Sequence, residues 1–290
     1  MMERAYFVAC LALGRLLRSG RYSKAWIACQ DGVLQVLKYR FFYAPLLVWI
    51  GGPLVRILDT GVRVLPQREW EERERRVYRS LHGVSIRTDA DGVLVLPCLA
   101  GKTLATLLED RELEESLRKR AIELAVSALA EFHHLGFTHA DAMAENVLID
   151  LEAGIARWFD FETIHDSSRA LAWRRADDVR ALLVTCLLRT SPEKFAETLQ
   201  LILDVHEDEG VTRHLATSFI SVLQRPLTFH LAQAALSFQS FQEIARLLRE
   251  RRIHVASELS ERATRPERAG AAASEGECRG GRGAKPLGKR

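Results

Sequence analysis

The stretch from Leu135 to Asp166 carries most of the residues in this 290-residue chain whose types and spacing could do chemistry. Within it, Asn146 follows Asp141 by five positions, and Asp160 comes after two short apolar runs. A glycine-containing turn separates those runs, so the pattern predicts a hairpin that brings Asn146 next to Asp160. Two carboxylates and an amide oxygen at one place would suit Mg²⁺ that carries phosphate ligands. The alternative is that the three residues cap separate turns, as Asp and Asn often do.

The same residues, together with His139 and Glu162, resemble the catalytic and metal-binding loops of the protein-kinase-like superfamily. The family pattern is His-x-Asp-x-x-x-x-Asn followed by Asp-Phe-Gly, and this chain reads HADAMAEN and then DFE. The sequence of these loops more closely resembles the atypical bacterial branch of the superfamily. That branch includes the kinases of Kdo or heptose in the lipopolysaccharide core and the aminoglycoside and choline phosphotransferases. Glu162 replaces the family glycine and an Ala-Pro-Glu segment is missing, which weighs against a protein substrate more than against phosphoryl transfer.

The resemblance implies a role for each residue of these loops. Asp141 would orient the acceptor hydroxyl group and accept its proton. Asn146 and Asp160 would hold Mg²⁺ on the phosphates of ATP. His139 would pack and hydrogen-bond beneath the catalytic loop. A zinc site built on the histidines is not expected, because their spacing is not a ligand pattern with a matching Cys or carboxylate.

Upstream of these loops, the resemblance implies a phosphate-binding lysine. Residues 24–40 form two strand patterns around an Asp-Gly turn, and Lys38 closes the second pattern. Lys38 would grip the α- and β-phosphates, and Glu74 in the charged stretch 67–82 would pair with it, with Glu71 as the reserve. Taken alone, Lys38 is also typical of an edge strand, and the charged stretch is typical of a solvated helix. The glycine loop that covers the phosphates in the family is not visible in the sequence.

The next segment resembles the link between the two lobes of the family. Residues 92–101 run from a strand pattern into an extended stretch, and the backbone groups of Pro97, Cys98 and Leu99 would face the adenine ring. A long helix over residues 114–135 follows, because its apolar residues keep the helical period for about six turns. This helix would carry the catalytic loop.

Local patterns predict three further helix starts. Residues 102–108 should form a short helix that begins at Lys102, since Gly101-Lys102-Thr103 lacks the earlier glycine of a phosphate-binding loop. Arg175 should begin a helix in which Asp177 or Asp178 supports the catalytic loop, as the resemblance implies, or simply favours the helix dipole. The run Ser191-Pro192-Glu193 should begin another helix, with Ser as the N-cap and Pro at the first helical position.

Composition narrows the class of protein. Residues 262–290 hold eight Lys or Arg and three Glu, whereas the whole chain has a net charge of +3, so the rest is slightly acidic. A basic nucleic-acid-binding domain is therefore not expected. The five Cys are scattered and odd in number, which is typical of a reducing compartment with no disulfide framework.

Two apolar stretches, residues 4–18 and 41–58, lie in the N-terminal part. The first predicts a packed or membrane-grazing helix without a signal-peptide cleavage site. The second could be an interfacial anchor, a buried insertion or, as a third hypothesis, a membrane span. By resemblance the chain has an α+β, two-lobed protein-kinase-like fold. The expected parts are an N-lobe (1–96), a C-lobe (97–261) and a disordered basic tail (262–290).

The leading hypothesis is an ATP- and Mg²⁺-dependent phosphotransferase that acts on a hydroxyl group. The first candidate acceptor is a sugar of the lipopolysaccharide core, which can be a lipid-linked glycan. A protein Ser/Thr, an aminoglycoside or a choline-type alcohol comes next. The protein would work in the cytoplasm, with possible peripheral contact at the inner membrane. The hypothesis from another class is a pseudokinase or membrane-associated scaffold, which the missing glycine loop suggests.

Overall fold

The computed structural model describes residues 23–30, 32–41, 61–220 and 242–250. All of them lie within one compact unit that spans residues 1–252. Some predictions fall outside the described ranges and stay predictions. They concern the N-terminal helix, the apolar segment except for its first residue, parts of the C-terminal helices and the basic tail.

In the described part of the chain, nine strands form three antiparallel sheets. The strands are β1 (Ser23–Gln30), β2 (Val33–Arg40), β3 (Val62–Val64), β4 (Arg87–Thr88), β5 (Leu94–Pro97), β6 (Lys102–Thr103), β7 (Val147–Asp150), β8 (Ile155–Trp158) and β9 (Thr163–His165). The largest sheet has the order β1-β2-β5-β4, so β2 is an interior strand. The two smaller sheets are β3-β9 and β6-β7-β8.

Helices dominate the chain after residue 97. The helices are α1 (Gln67–His82), α2 (Leu104–Glu109), α3 (Glu115–His134), α4 (Leu171–Leu187), α5 (Phe195–His206) and α6 (Glu209–Ile220). Residues 242–250 are also helical. The predicted α+β fold, with a small strand-rich N-terminal part and a larger helical C-terminal part, is confirmed. Across the described ranges, none of the helices combines the length and the apolar character needed to cross a bilayer.

Local sequence explains the β1-β2 hairpin and helix α1. Gln30 pairs with Val33 across a two-residue loop, and Gly32 adopts a φ of +77°, as a tight hairpin turn requires. Helix α1 has the predicted bounds. Its buried face carries Trp70 and Tyr78 together with charged residues, while most of its other charged side chains face solvent. The charged stretch is therefore a packed helix with one buried face and not a wholly solvated one.

Helix α3 is the support of the C-terminal part. Ala125, Leu129 and Phe132 are fully buried along one face, as the helical period predicts. The hairpin β7-β8 packs on this face, and the indole N–H of Trp158 donates to the backbone oxygen of Ala125 at 3.2 Å. The loop that leads into β7 is therefore fixed to the longest described helix.

Three predicted helix boundaries are corrected. Lys102 and Thr103 form the short strand β6 against β7, and Thr103 then caps α2 through a hydrogen bond from the Thr106 N–H. Helix α4 begins at Leu171, four residues before the predicted start, because the charged residues of its first turns are compatible with a helix and carry no stop signal. A helical turn does begin after Ser191 with Pro192 at its first position, as predicted, but Pro192–Lys194 is a 3-10 turn without a side-chain cap from Ser191, and α5 begins only after it.

Candidate active site

The loop between α3 and β7 is held from below by Asp178. This residue of α4 is 1% exposed, and its carboxylate accepts hydrogen bonds from the backbone N–H groups of His139 at 2.8 Å and Ala140 at 2.7 Å. The sequence left Asp177 and Asp178 as alternatives for this contact. Asp177 instead accepts from Arg180 at 2.5 Å and contacts His165 at 3.1 Å.

Asp141 and Asn146 lie together in the same loop. The side-chain amide of Asn146 donates to the backbone oxygen of Asp141 at 2.8 Å and to its carboxylate at 2.9 Å. Asn146 is buried, whereas Asp141 is half-buried at the surface of the loop. Because the amide nitrogen faces Asp141, the amide oxygen of Asn146 is directed away from that carboxylate.

His139 is fully buried beneath the loop. Its ring packs against Trp158 and Phe161, and Nε2–H donates to the backbone oxygen of Phe159 at 2.9 Å. Burial lowers the pKa of His139 to about 4, so the imidazole is neutral at physiological pH. A neutral, enclosed ring suits a supporting role and not proton transfer at the surface of the loop.

The β7-β8 hairpin brings Asp160 close to the loop of Asp141 and Asn146, with Phe159 and not Asp160 bonded to Asn146. The backbone N–H of Phe159 donates to the oxygen of Asn146 at 3.0 Å, so Asp160 is the next residue along. Asp160 has a φ of +69°, an unfavourable value for a residue with a side chain, and Ala140 has a φ of +66°. Residues held in this region often belong to functional loops, where the surrounding contacts offset the strain.

Lys38 joins the N-terminal sheet, helix α1 and the loop after β8. Its ammonium nitrogen lies 2.9 Å from Glu74, 2.6 Å from Asp160 and 3.1 Å from Glu162. The Lys38 side chain is 8% exposed, and Glu74 is 1% exposed. Glu74 also accepts a hydrogen bond from the indole of Trp70 at 3.1 Å. The reserve residue Glu71 contacts Arg75 and Thr88 instead.

The electrostatics of this cluster follow from burial and from the shared ammonium group. Burial acts to lower the pKa of Lys38, but the charges of Asp160, Glu74 and Glu162 raise it well above its ordinary value. Burial acts to raise the pKa of Asp160, but Lys38 outweighs it and the pKa of Asp160 is lowered. Burial and the charge of Asp160 raise the pKa of Glu162 despite Lys38.

The predicted adenine-facing link follows β5. Pro97 is the last residue of that strand, and Pro97, Cys98 and Leu99 are all half-buried. Two residues on, Gly101 has a φ of +116°, and an added Cβ would lie 2.5 Å from the backbone oxygen of Ile149. Only glycine allows this close approach, which places the link directly against β7.

Several residues that support the site were missed by sequence reasoning. Glu162 was noted only as a departure from the family glycine, although it contacts Lys38. His133 contacts Asp178 at 2.9 Å and His206 at 3.1 Å. Arg73 of α1 donates to the backbone oxygen of Thr138, just before the loop of Asp141 and Asn146. The helical phase of Glu74 could have indicated Arg73 as a buried neighbour, but its long-range partner carries no sequence signal.

The donor chemistry fits the expected magnesium ion. Asp160 offers a carboxylate and Asn146 an amide oxygen, both of which are ligand types that Mg²⁺ prefers. Asp160 is 37% exposed, so a cation that also binds phosphate and water could reach it. Among the described residues there is no closed cluster of three metal-binding side chains.

Comparisons with known proteins gave structural similarity without sequence matches. No protein-family model matches the chain. No curated protein sequence matches it. The crystal structure of Rad53 1–466 in complex with AMP-PNP is 14% identical, with a TM-score of 0.35, over 77% of this chain and 62% of that chain. A MAP kinase from Leishmania major is 18% identical, with a TM-score of 0.37, over 81% and 80%. At TM-scores this low the likeness adds nothing to what the geometry of the site indicates.

Proposed function

We propose that this protein is a kinase-like phosphotransferase that moves the γ-phosphate of ATP to a hydroxyl group. The observation that supports it best is the position of Lys38, which contacts a glutamate of α1 and the aspartate that follows β8. The alternative of an edge-strand lysine fits poorly, since β2 lies between β1 and β5 and the side chain is buried.

The nucleotide would lie between an N-lobe, residues 1–96, and a C-lobe, residues 97–261. Lys38, held by Glu74, would contact the α- and β-phosphates. The face of β2 that carries Lys38 also carries Val36, because alternate residues of a strand point the same way. Val36 and the backbone of Pro97–Leu99 would enclose the adenine ring on the side of the link.

Asp141 would direct the chemistry at the acceptor. It would orient the hydroxyl group and take its proton while the acceptor oxygen forms a bond to the γ-phosphorus. The bond between that phosphorus and the bridging oxygen of ADP would break in the same step. Mg²⁺, when bound, neutralises charge on the phosphates. Asp160 and the amide oxygen of Asn146 would hold it, and Asp178 would keep Asp141 in place through the loop backbone.

The acceptor that we favour is a cell-envelope sugar, with a Kdo or heptose residue of the lipopolysaccharide core as the first candidate. Only ten residues separate Asp160 from the start of α4, and three of them form β9, which pairs with β3. So short a connection has little length for a peptide-binding platform. The apolar stretch 41–58 leads into Gly61, whose backbone oxygen accepts from the Asp166 N–H beside β9. Gly61, three residues after that stretch in the sequence, thus lies beside β9, which is compatible with a lipid-linked glycan as the acceptor.

The need for ATP suggests a cytoplasmic location. Contact of residues 41–58 with the inner membrane would be peripheral in this proposal. A membrane wash with high salt and carbonate tests this part, because a peripheral protein is released and a spanning one is retained.

The experiment that tests the proposed function is turnover by Asp141→Asn, with ADP release as the readout and lipopolysaccharide core fragments as the first acceptors. We expect turnover to fall by about 10²–10⁴-fold, as for other general bases, while ATP binding is unchanged. Asp150→Asn is the matched control, because Asp150 lies at the other end of β7 and caps the Ala153 N–H. Normal turnover in Asp141→Asn would refute the assignment of this residue.

A scaffold without catalysis is the second candidate, and one observation favours it. The carboxylate of Glu162 lies 3.1 Å from the ammonium nitrogen of Lys38, which also contacts Glu74 and Asp160. If this contact were permanent, Lys38 could not bind phosphate. Calorimetry with ATP and Mg²⁺ distinguishes the two candidates, because the scaffold would bind no nucleotide.

A further inference from the structure

A cavity of about 550 Å³ lies in the helical part of the chain. The end of α2, the first two turns of α3, the segment after α4 and the first turns of α5 line it. Lys38, Asp141, Asn146 and Asp160 are not among the described residues that line it. Pockets that bind small molecules usually measure about 300–1,000 Å³. The cavity is therefore large enough for a ligand other than the nucleotide.

The charged residues that line this cavity give it an excess of positive charge. Five are cationic and three are carboxylates. The cations are Arg111, Arg118, Lys119, Arg189 and Lys194, and the carboxylates are Glu109, Glu115 and Glu197. Each carboxylate forms an ion pair with one of these cations, at 2.8 Å between Glu109 and Arg189 and at 2.6 Å between Glu115 and Lys194. Two cations are therefore left over.

Arg111 and Arg118 are the cations that have no carboxylate partner among the described residues. Arg118 donates to backbone oxygens only, at 3.1 Å to Leu113 and at 2.7 Å to Leu108, and also to that of Asp110. It fixes the loop between α2 and α3, and no carboxylate compensates its charge. Arg111, in the same loop, is exposed. An anion in the cavity would supply the missing negative charge.

The remaining carboxylates and the apolar walls indicate which kind of anion fits. The side chains of Glu115 and Glu197 are 44% and 52% exposed, and ion pairs at such positions contribute little to stability, so a ligand can displace them. Leu108 and Ile122, each 4% exposed, form an apolar part of the wall. Arginine binds phosphate and carboxylate groups in a bidentate way. The cavity thus suits an organic anion whose carbon body packs against the apolar wall.

Arg189 connects this cavity with the loop of Asp141 and Asn146. Its side chain is 16% exposed and donates to Glu145, the residue before Asn146, at 2.8 Å. The hydroxyl of Thr185, one turn earlier, accepts from the Ala144 N–H at 2.9 Å. The end of α4 therefore holds the 3-10 turn Ala144–Asn146 at two points. An anion that takes Arg189 from Glu145 would remove one of them.

We propose that this cavity binds a small organic anion that carries phosphate or carboxylate groups, and that the anion competes with Glu145 for Arg189. The binding is independent of the proposed function. Its consequence for the nucleotide depends on that function, because Asn146, which would hold Mg²⁺, belongs to the turn that Arg189 supports. By linkage, an anion that loosens this turn weakens the binding of ATP with Mg²⁺.

Calorimetry on the full chain tests the site, with 2,3-bisphosphoglycerate as the phosphate probe and citrate as the carboxylate probe. We expect one anion per chain and a Kd below about 1 mM for at least one of the two probes, as two or three charge-assisted hydrogen bonds allow. The probe that binds more tightly identifies the class of anionic group that the cavity prefers.

Two variants and a matched control assign the binding to this cavity. Arg111→Gln and Lys194→Gln each remove a lining cation and should each weaken binding of the probe about tenfold. Arg120→Gln removes an exposed charge from the same helix as Arg118, outside the lining, and should leave the affinity unchanged. Arg118 is kept because it fixes a loop. Thermal melting shows which variants are folded.

Glu145→Gln tests the competition for Arg189 without nucleotide. It removes the carboxylate that competes with the anion, so the probe should bind about fivefold more tightly. A second titration measures ATP with Mg²⁺ in the presence and absence of saturating probe. In the wild type the probe should weaken ATP binding about fivefold, and in Glu145→Gln it should have no such effect.

Each part of the proposal has its own refuting outcome. No binding of either probe by the wild type, or equal binding by folded Arg111→Gln and Lys194→Gln, overturns the site. An unchanged probe affinity in folded Glu145→Gln overturns the competition for Arg189, as does ATP binding that ignores the probe. Anion binding by a wild type that binds no ATP at all overturns the proposed function and supports the anion site.

Discussion

Lys38→Met should destabilise the fold most strongly at alkaline pH. The substitution removes the ammonium group that Glu74, Asp160 and Glu162 share. Breaking a buried charge pair costs about 3–5 kcal/mol, because the remaining charge stays buried without a partner. Asp160 is 37% exposed, which lets water compensate part of the loss. We therefore expect the lower end, about 3 kcal/mol in the free energy of unfolding.

The pH dependence gives this prediction its sign. In the wild type, Lys38 holds the pKa of Asp160 below its ordinary value, so this stability is present at neutral pH and is lost as the pH falls through that pKa. Without Lys38, burial raises the pKa values of Asp160 and Glu162 instead. The variant should then lose stability as the pH rises and its carboxyl groups ionise. The deficit relative to the wild type should be larger at pH 8 than at pH 5.

Urea denaturation followed by circular dichroism at both pH values measures this difference. Lys24→Met is the matched control, because Lys24 is an exposed lysine on the neighbouring strand β1. A loss of about 3 kcal/mol also corresponds to a decrease of about 6–12 °C in Tm for a chain of this size. If Lys38→Met and Lys24→Met unfold alike, or if the deficit is larger at pH 5, the argument from uncompensated carboxylates is wrong.

Two further predictions concern the link to the C-terminal part and the buried histidines. Gly101→Ala should destabilise the protein by about 1–3 kcal/mol through backbone strain and the approach to Ile149, whereas Gly92→Ala, with a φ of +77° and open space, should cost less in the same thermal melts. The free energy of unfolding should also fall as the pH falls from about 6.5 towards 4. The pKa values of His139 and His206 are lowered to about 4, mainly by burial, so these groups take up protons only after unfolding. Over this range, each histidine should lower the free energy of unfolding by about 1 kcal/mol per pH unit. His206→Gln should remove the contribution of one histidine, which denaturation series at several pH values would measure. A free energy of unfolding that does not change with pH would contradict this reasoning.

Much of the local structure could be predicted because its causes are local. The Asp-Gly turn predicts the β1-β2 hairpin, the charged stretch 67–82 predicts α1, and the helical period of apolar residues predicts α3. The hairpin after Asn146 follows from two β-branched runs around a glycine turn. The strands β3 and β9 were not predicted, since three residues are too few to form a pattern. The early start of α4 was missed because neutral and charged residues in its first turns suit helix and loop alike.

The sequence alone determined which side chains are available and how they are spaced along the chain. That was enough to indicate Lys38, Glu74 and the Asp141–Asp160 loops as candidates. The tertiary structure decided which of these side chains meet in space, which their spacing along the chain does not specify. It selected Asp178 over Asp177, because adjacent residues of a helix point about 100° apart and only one can face the loop. It also brought Glu162 to Ser23 across 139 positions, since burial and charge act through space and not along the chain.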